Sequence, residues 1–250
     1  MRLGAAQVFI SDALEMNLDT ILRMMTDAAR KGVDLLAFPE MSLTGYNPDT
    51  LTRSDIQEET TRALDQIALR AADLDLGVII GHAHWENDDS LLNAATVLLP
   101  DKTRYTYYKN YVTEAEAEYF ESGNKALSFP YRDHRFGVII CRDQNYPELA
   151  RQTCRDNVAA IFILSAHYYH PHEARWKIEK NKALPIARAV ENKVYVLMAN
   201  AVGSHIGLVS LGNSLIADPE GALIALADES SEVILTCDVP GSQPRPNVNN

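Results

Sequence analysis

Three ionisable residues of this 250-residue chain each follow a predicted strand: Glu40 after Val33–Phe38, Lys109 after Tyr105–Tyr108, and Cys141 after Phe136–Ile140. A carboxylate, an amine and a thiol together suit covalent catalysis. A thiol of pKa roughly 8.5 is mostly protonated at neutral pH, so a nucleophilic cysteine needs a base nearby. Glu40 can be that base. The ammonium of Lys109 can stabilise the thiolate, and then the oxyanion of a tetrahedral intermediate. Ligands of α/β sheets gather beyond the carboxyl ends of strands, so strands of one sense would bring the three to one rim. Each residue also has an ordinary reading. Cys141 could be a small buried hydrophobe, Glu40 a solvated loop carboxylate and Lys109 a surface charge. Spacing alone leaves both readings open.

The setting of Cys141 is the most suggestive. Phe136-Gly-Val-Ile-Ile runs straight into the thiol, Arg142 to Glu148 forms a polar turn, and Leu149 onward reads as a helix. The strand would hold the sulfur rigidly. The N–H groups of the turn and the helix dipole favour negative charge there.

Other elements must position these residues. Leu3–Phe9 reads as a strand. Leu18, Ile21, Leu22, Met25 and Ala29 mark one face of a helix, with Asn17 as its N-cap and Gly32 as its end. Pro39, Gly45 and Pro48 mark a loop, and Ser54 with Gln57 resembles a capping box. A second helical stripe runs through Leu64, Ile67, Ala68, Ala71 and Leu74. Gly77–Gly81 reads as a strand, and Leu91–Leu99 and Lys102–Tyr108 as strands about a turn at Pro100-Asp101. Past the cysteine, Val158–Leu164 reads as a strand, Ala174–Asn192 as a helix bent or restarted at Pro185, and Val194–Ala199 as a strand. Ile206–Ala217, Ala222–Ala227 and Glu232–Val239 read as hairpin-like strands with a tight turn at Asp218–Gly221, and residues 241–250 as a loose tail. Helices alternate with strands early and hairpins come later, which predicts an α/β fold with a mixed sheet or two sheets, in a single domain over 1–250.

Composition excludes more than it selects. Lys+Arg 23 against Asp+Glu 34 gives a net charge of −11, which argues against nucleic acid or an anionic membrane as partner and favours a small molecule. Cys141, Cys154 and Cys237 are too few and too odd in number for a disulfide framework, and they suit a reducing, cytoplasmic setting. No signal peptide core or membrane-length apolar run is present.

Seven motifs in order give the chain a recognisable pattern: FPEMSLTGY at Phe38–Tyr46, YYKNY at Tyr107–Tyr111, EAEYFESG at Glu116–Gly123, CRDQNYPE at Cys141–Glu148, ARAVEN at Ala187–Asn192, NAVG at Asn200–Gly203 and GNSLIADPEG at Gly212–Gly221. Together they resemble the nitrilase superfamily of carbon–nitrogen hydrolases over nearly the whole chain. The resemblance implies an αββα sandwich, four layers in which two mixed sheets stack between helices. It implies a Glu40–Lys109–Cys141 triad that cleaves non-peptide C–N bonds through a thioester. Glu116 would support Lys109, and the backbone N–H of Arg142 would share the oxyanion. It requires no cofactor and no metal, and it implies a homodimer or higher homo-oligomer. Many amidase members have Tyr where Arg142 stands and Arg where Asn145 stands, and the Cys-Trp-Glu usual in true nitrilases is absent. These departures leave small amides and N-carbamoyl compounds as substrates, with carbamoylase or ω-amidase activity as alternatives. A scaffold that keeps the fold without turnover is the alternative from another class.

His167-Tyr-Tyr-His170-Pro-His172 could hold zinc, but no acidic or cysteine partner has ligand spacing. The resemblance makes His167, Tyr168 and Tyr46 candidate substrate contacts. Asn47, Pro48 and Asp49 read first as a turn. His82 and His84 alternate on a strand, on one face. Trp176 reads as core, and Cys154 and Cys237 as inert.

Overall fold

The computed structural model describes residues 1–87 and 90–241. Two six-stranded sheets stack face to face, with helices on both outer faces. In chain order the elements are β1 (Arg2–Gln7), α1 (Leu14–Arg30), β2 (Leu35–Ala37), α2 (Pro48–Leu51), α3 (Ile56–Leu74), β3 (Gly77–Asn87), β4 (Ser90–Leu98), β5 (Arg104–Tyr108), β6 (Leu127–Tyr131), β7 (His134–Ile140), α4 (Pro147–Thr153), β8 (Ala160–Ser165), α5 (Pro171–Asn192), β9 (Tyr195–Asn200), β10 (Val202–His205), β11 (Leu208–Leu211), β12 (Leu215–Ala217), β13 (Leu223–Leu226) and β14 (Val233–Asp238). The first sheet has the order β14-β1-β2-β3-β4-β5 and the second β13-β12-β9-β8-β7-β6, while β10 and β11 form a separate hairpin.

Burial on two faces explains the apolar runs of the central strands. Along β7, Phe136, Val138 and Ile140 point into the core between the sheets, with Ala160, Phe162 and Leu164 of β8 and Leu35, Ala37 and Ile79 of the other sheet. The intervening Ile139 packs outward with Ile161 and Ile163 against Leu149 of α4 and Ala189 of α5. On the other outer face, Leu36, Val78 and Ile80 meet Ile21, Met25 and Ala28 of α1 and Ile67 and Ala71 of α3.

Strand sense decides which residues share a rim. β2 is parallel to β1 and β3. β4 is antiparallel to β3, and β5 is antiparallel to β4. Two reversals restore the sense of β2, so the chain leaves β5 at Lys109 on the rim where it leaves β2 toward Glu40. In the second sheet β7, β8 and β9 are parallel, and Cys141 follows β7 directly.

Several local expectations are corrected. Asn17 is not an N-cap: α1 begins at Leu14. Asn17 is buried inside it, accepting from the Ser11 N–H and donating to the carbonyls of Ser11 and Leu43. Ser54 and Gln57 form no capping box, since Asp55 occupies the N-cap position and makes no side-chain cap. β1 stops at Gln7, and Phe9 is 49% exposed. Ile206–Ala217 is not one strand, because Gly212 and Asn213 both turn through positive φ. α5 starts at Pro171, where a missing N–H costs nothing, and runs on through Pro185. β6 had no strong sequence signal, as Pro130 interrupts it. Trp176 is 64% exposed rather than core. The tail expected over 241–250 lies outside the described residues from 242 onward.

Candidate active site

Glu40, Lys109 and Cys141 line one cavity of about 280 Å³. Glu40 and Lys109 are buried, at 0% and 1% exposure, although both are ionisable. Burial of that kind is tolerated only when charges are paired and hydrogen-bonded. Lys109 Nζ donates to Glu40 Oε1 at 2.7 Å and to both oxygens of Glu116, at 2.6 and 2.7 Å. Asn93, on β4, bridges the two carboxylates from Nδ2, at 2.8 Å to Glu40 Oε1 and 3.1 Å to Glu116 Oε1. Glu40 Oε2 accepts the N–H of Ala166 at 3.0 Å, and the Tyr46 hydroxyl also bonds Glu40. Glu116 is held in turn by the N–H of Thr113, at 2.8 Å.

The backbone makes room for this cluster at some cost. Met41, directly after Glu40, has φ of 54°, and Cys141 itself has φ of 43°. Each left-handed non-glycine residue costs about 1–2 kcal/mol, and such strain collects at functional positions. Gly81 lets β3 run against the loop that carries Glu40, for a Cβ there would lie 2.3 Å from the Pro39 carbonyl and 2.7 Å from the Glu40 backbone.

Cys141 opens a 3-10 turn, Cys141–Asn145, between β7 and α4. Asp143 holds that turn in place. It is wholly buried. Oδ2 accepts the Tyr107 hydroxyl at 2.6 Å and the Ile140 N–H at 3.0 Å, and Oδ1 accepts the Tyr111 N–H at 2.9 Å. The nucleophile's turn is thereby fastened to the segment that carries Lys109. Burial raises the Asp143 carboxyl to about 6, against the pull of those three donors.

A family profile described as "Carbon-nitrogen hydrolase" matches residues 2–244. The chain belongs to the carbon–nitrogen hydrolase family, within the nitrilase superfamily. It is 34% identical over 224 residues to a nitrilase of Pyrococcus abyssi, covering 85% of this chain and 79% of that protein. It is 32% identical over 243 residues to a glutamine-dependent NAD(+) synthetase of Aquifex aeolicus, covering 94% of this chain but only 42% of the synthetase. An omega-amidase, NIT2, of Xenopus tropicalis is 26% identical over 251 residues, 95% of this chain and 88% of that one. Among solved structures, an amidase from Nesterenkonia sp. superposes with a TM-score of 0.85 at 22% identity, over 96% of this chain and 90% of that one. The fold is that of the family.

The electrostatics of this carbon–nitrogen hydrolase site separate its two carboxylates. Burial raises Glu40 even against the charge of Lys109. Glu116 is only partly buried; desolvation raises it, yet the Lys109 charge and hydrogen bonds hold it below the ordinary carboxylate value. Burial works against the charge of Lys109, but the neighbouring carboxylates Glu40 and Glu116 outweigh it, so Lys109 stays protonated. Burial pushes the Cys141 thiol well up, and Glu40 adds to that more than Lys109 relieves it. Lys109 does pull the thiol toward its ionised form, as expected of it, but burial and Glu40 outweigh that pull and favour the protonated thiol. Of the two carboxylates, the raised Glu40 is the one more readily protonated, while Glu116 is the fixed partner of Lys109.

Tyr46 and Tyr168 line the cavity with the three, as does Glu116. His167 is not among the lining residues. It is buried behind the wall, its N–H on Asn200 Oδ1 at 3.0 Å and its Nε2 against Gln144 at 3.2 Å. Its neighbours in the histidine run, His170 and His172, stack on each other at 5.8 Å. No group of three or more His, Cys, Asp or Glu among the described residues is arranged to hold a metal. Pro48 and Leu51 of α2 do reach the cavity, while Asn47 caps that helix through the Asp49 N–H. Asn93 and Asp143 went unassigned in the sequence. A polar residue amid apolar strand neighbours, and an acid two residues after the cysteine, were the available signals.

Two buried histidines set an acid limit on the fold. Burial lowers His82 from 6.5 to about 4 and His167 from 6.5 to about 3. Below 6.5 the unfolded chain binds protons that the folded one refuses, so stability falls as pH drops. Each histidine contributes about 1.4 kcal/mol per pH unit down to its folded value. Urea midpoints measured between pH 6.5 and 4.5 are expected to fall steeply, and His167→Gln to flatten the slope. An unchanged slope would mean that His167 titrates normally. Asp143→Ala strands three donors, two of them buried, and is expected to cost about 2–5 kcal/mol in the same measurement at pH 7.

Proposed function

We propose that this protein is an amidohydrolase that cleaves the C–N bond of small amides or N-carbamoyl compounds through a Cys141 thioester. The observation that carries the reading is the buried Glu40–Lys109–Glu116 cluster opening onto the same cavity as the Cys141 thiol. A buried ion cluster rarely adds stability over an apolar one, so its presence beside a thiol asks for a chemical use.

In this mechanism Cys141 Sγ attacks the amide carbon while its proton passes to Glu40. The oxyanion that forms is met by Lys109 Nζ and by the N–H of Arg142. Glu40 then gives the proton to the departing nitrogen, the C–N bond breaks and ammonia or an amine leaves. Water attacks the thioester as Glu40 accepts its proton. The C–S bond breaks, the acid leaves and the thiol recovers its proton. Glu116 keeps Lys109 charged and aimed throughout.

The 26% identical relative named an omega-amidase supports amide chemistry, and so does the absence of Cys-Trp-Glu at the nucleophile. Nitrile hydrolysis is the second reading, favoured by the 34% identical relative named a nitrilase. Incubation with amide, N-carbamoyl and nitrile panels, read as ammonia release, separates the two. Mass spectrometry of the quenched protein is expected to show an acyl group on Cys141. Turnover without any such adduct, under conditions that slow deacylation, would remove the thioester.

A further inference from the structure

The hairpin β10–β11 turns at Ile206-Gly207, and both residues have positive φ, 45° and 76°. Two-residue turns of that hand favour Asn-Gly or Gly-Gly, because the left-handed region suits glycine or a short polar side chain. A β-branched residue is a poor occupant. Ile206 is also 47% exposed and lines the cavity that holds Cys141. Neither backbone preference nor burial accounts for an isoleucine here. Strain of this kind persists where the side chain is used.

The surrounding wall indicates the use. Leu208 comes from the same hairpin, and Leu51 and Phe120 from α2 and from the segment after Glu116. Lys109 is the only cationic side chain among the described residues that line the cavity, and Glu40 and Glu116 already engage it. Two carboxylates thus share one ammonium. A substrate carboxylate would enter a space with excess acid, a largely apolar wall and no free cation; the unpartnered Tyr168 hydroxyl could give it one neutral hydrogen bond but no countercharge.

The geometry points to Ile206 as a specificity-determining residue. The hairpin tip holds it against the acyl part of the substrate, where with Leu208, Leu51 and Phe120 it selects neutral amides with an apolar acyl chain over amides that end in a carboxylate. The inference rests on the amidohydrolase reading and narrows it, placing substrates of ω-amidase type and N-carbamoyl amino acids outside the preferred class.

A matched pair tests it. 4-Methylpentanamide and succinamate have nearly the same shape, with isopropyl in one where the other has a carboxylate. The neutral amide is expected to show kcat/KM higher by about 100-fold or more. Ile206→Asn puts a residue suited to the turn at the tip. It is expected to raise the melting temperature by a few degrees while raising KM for 4-methylpentanamide about tenfold, with kcat changed far less. A gain in stability together with a loss in KM is not what a structural residue would give. Equal or better turnover of succinamate, or an Ile206→Asn protein with unchanged KM, overturns the inference and leaves the amidohydrolase reading intact. If the folded protein hydrolyses neither amide nor any of the wider panel, that reading fails, and labelling decides the wall by itself. Alkylation of Cys141 by iodoacetamide against iodoacetate, each relative to glutathione, is expected to favour the neutral reagent about tenfold or more. A ratio equal to that of glutathione overturns the proposal without reference to turnover.

Discussion

Cys141→Ala is expected to reduce ammonia release by roughly 10⁴-fold or more, to the level of the buffer, while leaving the fold in place. Loss of a nucleophile removes the covalent route altogether, and removing one member of such a set costs nearly as much as removing all. The variant should stay folded because the sulfur carries little of the architecture. The turn is held by Asp143, through Tyr107, Tyr111 and the Ile140 N–H, and none of these partners is the thiol. Alanine also fits the left-handed φ of 43° no worse than cysteine does. The informative measurement pairs a rate with a melting curve. An unaltered melting curve with abolished turnover assigns the chemistry to the sulfur. Cys141→Ala protein that still hydrolyses amides at more than about a hundredth of the parent rate would move the nucleophile elsewhere, and Cys154 and Cys237 would be the thiols to test.

Lys109→Met carries the second large effect, and it acts on stability and rate together. Without the ammonium, Glu40 and Glu116 face each other around Asn93 with no cation between them. Breaking a buried ion pair from one side costs about 3–5 kcal/mol, eased in part when one carboxylate takes a proton. Glu40 is the one already raised, so it is the one that protonates. The variant therefore loses an oxyanion donor, worth roughly 10²–10³ in rate, and neutralises its own general base, worth a further 10²–10⁴ or so. Turnover near neutral pH is expected to vanish, with a melting temperature lower by several degrees. Adding Glu116→Gln separates the two consequences. The double variant relieves the facing charges and should recover much of the lost stability, yet no activity. Recovery of both would reduce Lys109 to a counter-ion, and full turnover by Lys109→Met alone would remove it from the mechanism.

The pH behaviour of the site follows from the same cluster. A thiol pushed up by burial and by Glu40 cannot be primed by simple ionisation at neutral pH. In the proposed mechanism proton transfer to Glu40 accompanies the attack, so the position of the base matters more than its average charge. The Ala166 N–H sets that position, since it bonds Glu40 Oε2 at 3.0 Å. A backbone group just past the end of β8 thus ties Glu40, carried by the first sheet, to the sheet that carries Cys141.

Local pattern was enough for much of this. Apolar runs of four to seven residues located the central strands, because strands buried on both faces leave no room for polar side chains. Helical spacing located α1 and α3 for the complementary reason that each buries one stripe. Glu40 and Cys141 stood out since each follows such a run, Lys109 since it follows the tyrosine-rich β5, and the ordered motifs around them named the family. Errors fell where a polar side chain could serve either a cap or the interior. Asn17 has the sequence position of a cap but instead stitches α1 to the Ser11 and Leu43 carbonyls. Ser54 and Gln57 had the spacing of a capping box without its bonds.

Fold class and family were therefore written in the chain itself, the one in the local alternation of helices and strands and the other in motifs strung in order from Phe38 to Gly221, which also carry the three residues that meet in the cavity. The tertiary structure alone decided how the charges are shared. Asn93 reaches both carboxylates across 53 and 23 positions of sequence, His167 turns behind the wall that Tyr168 lines, and Ile206 is carried on a strained tip over Cys141. Those outcomes rest on desolvation and on contacts between distant segments. Both take their value only when the two sheets have closed on each other, and no local spacing encodes them.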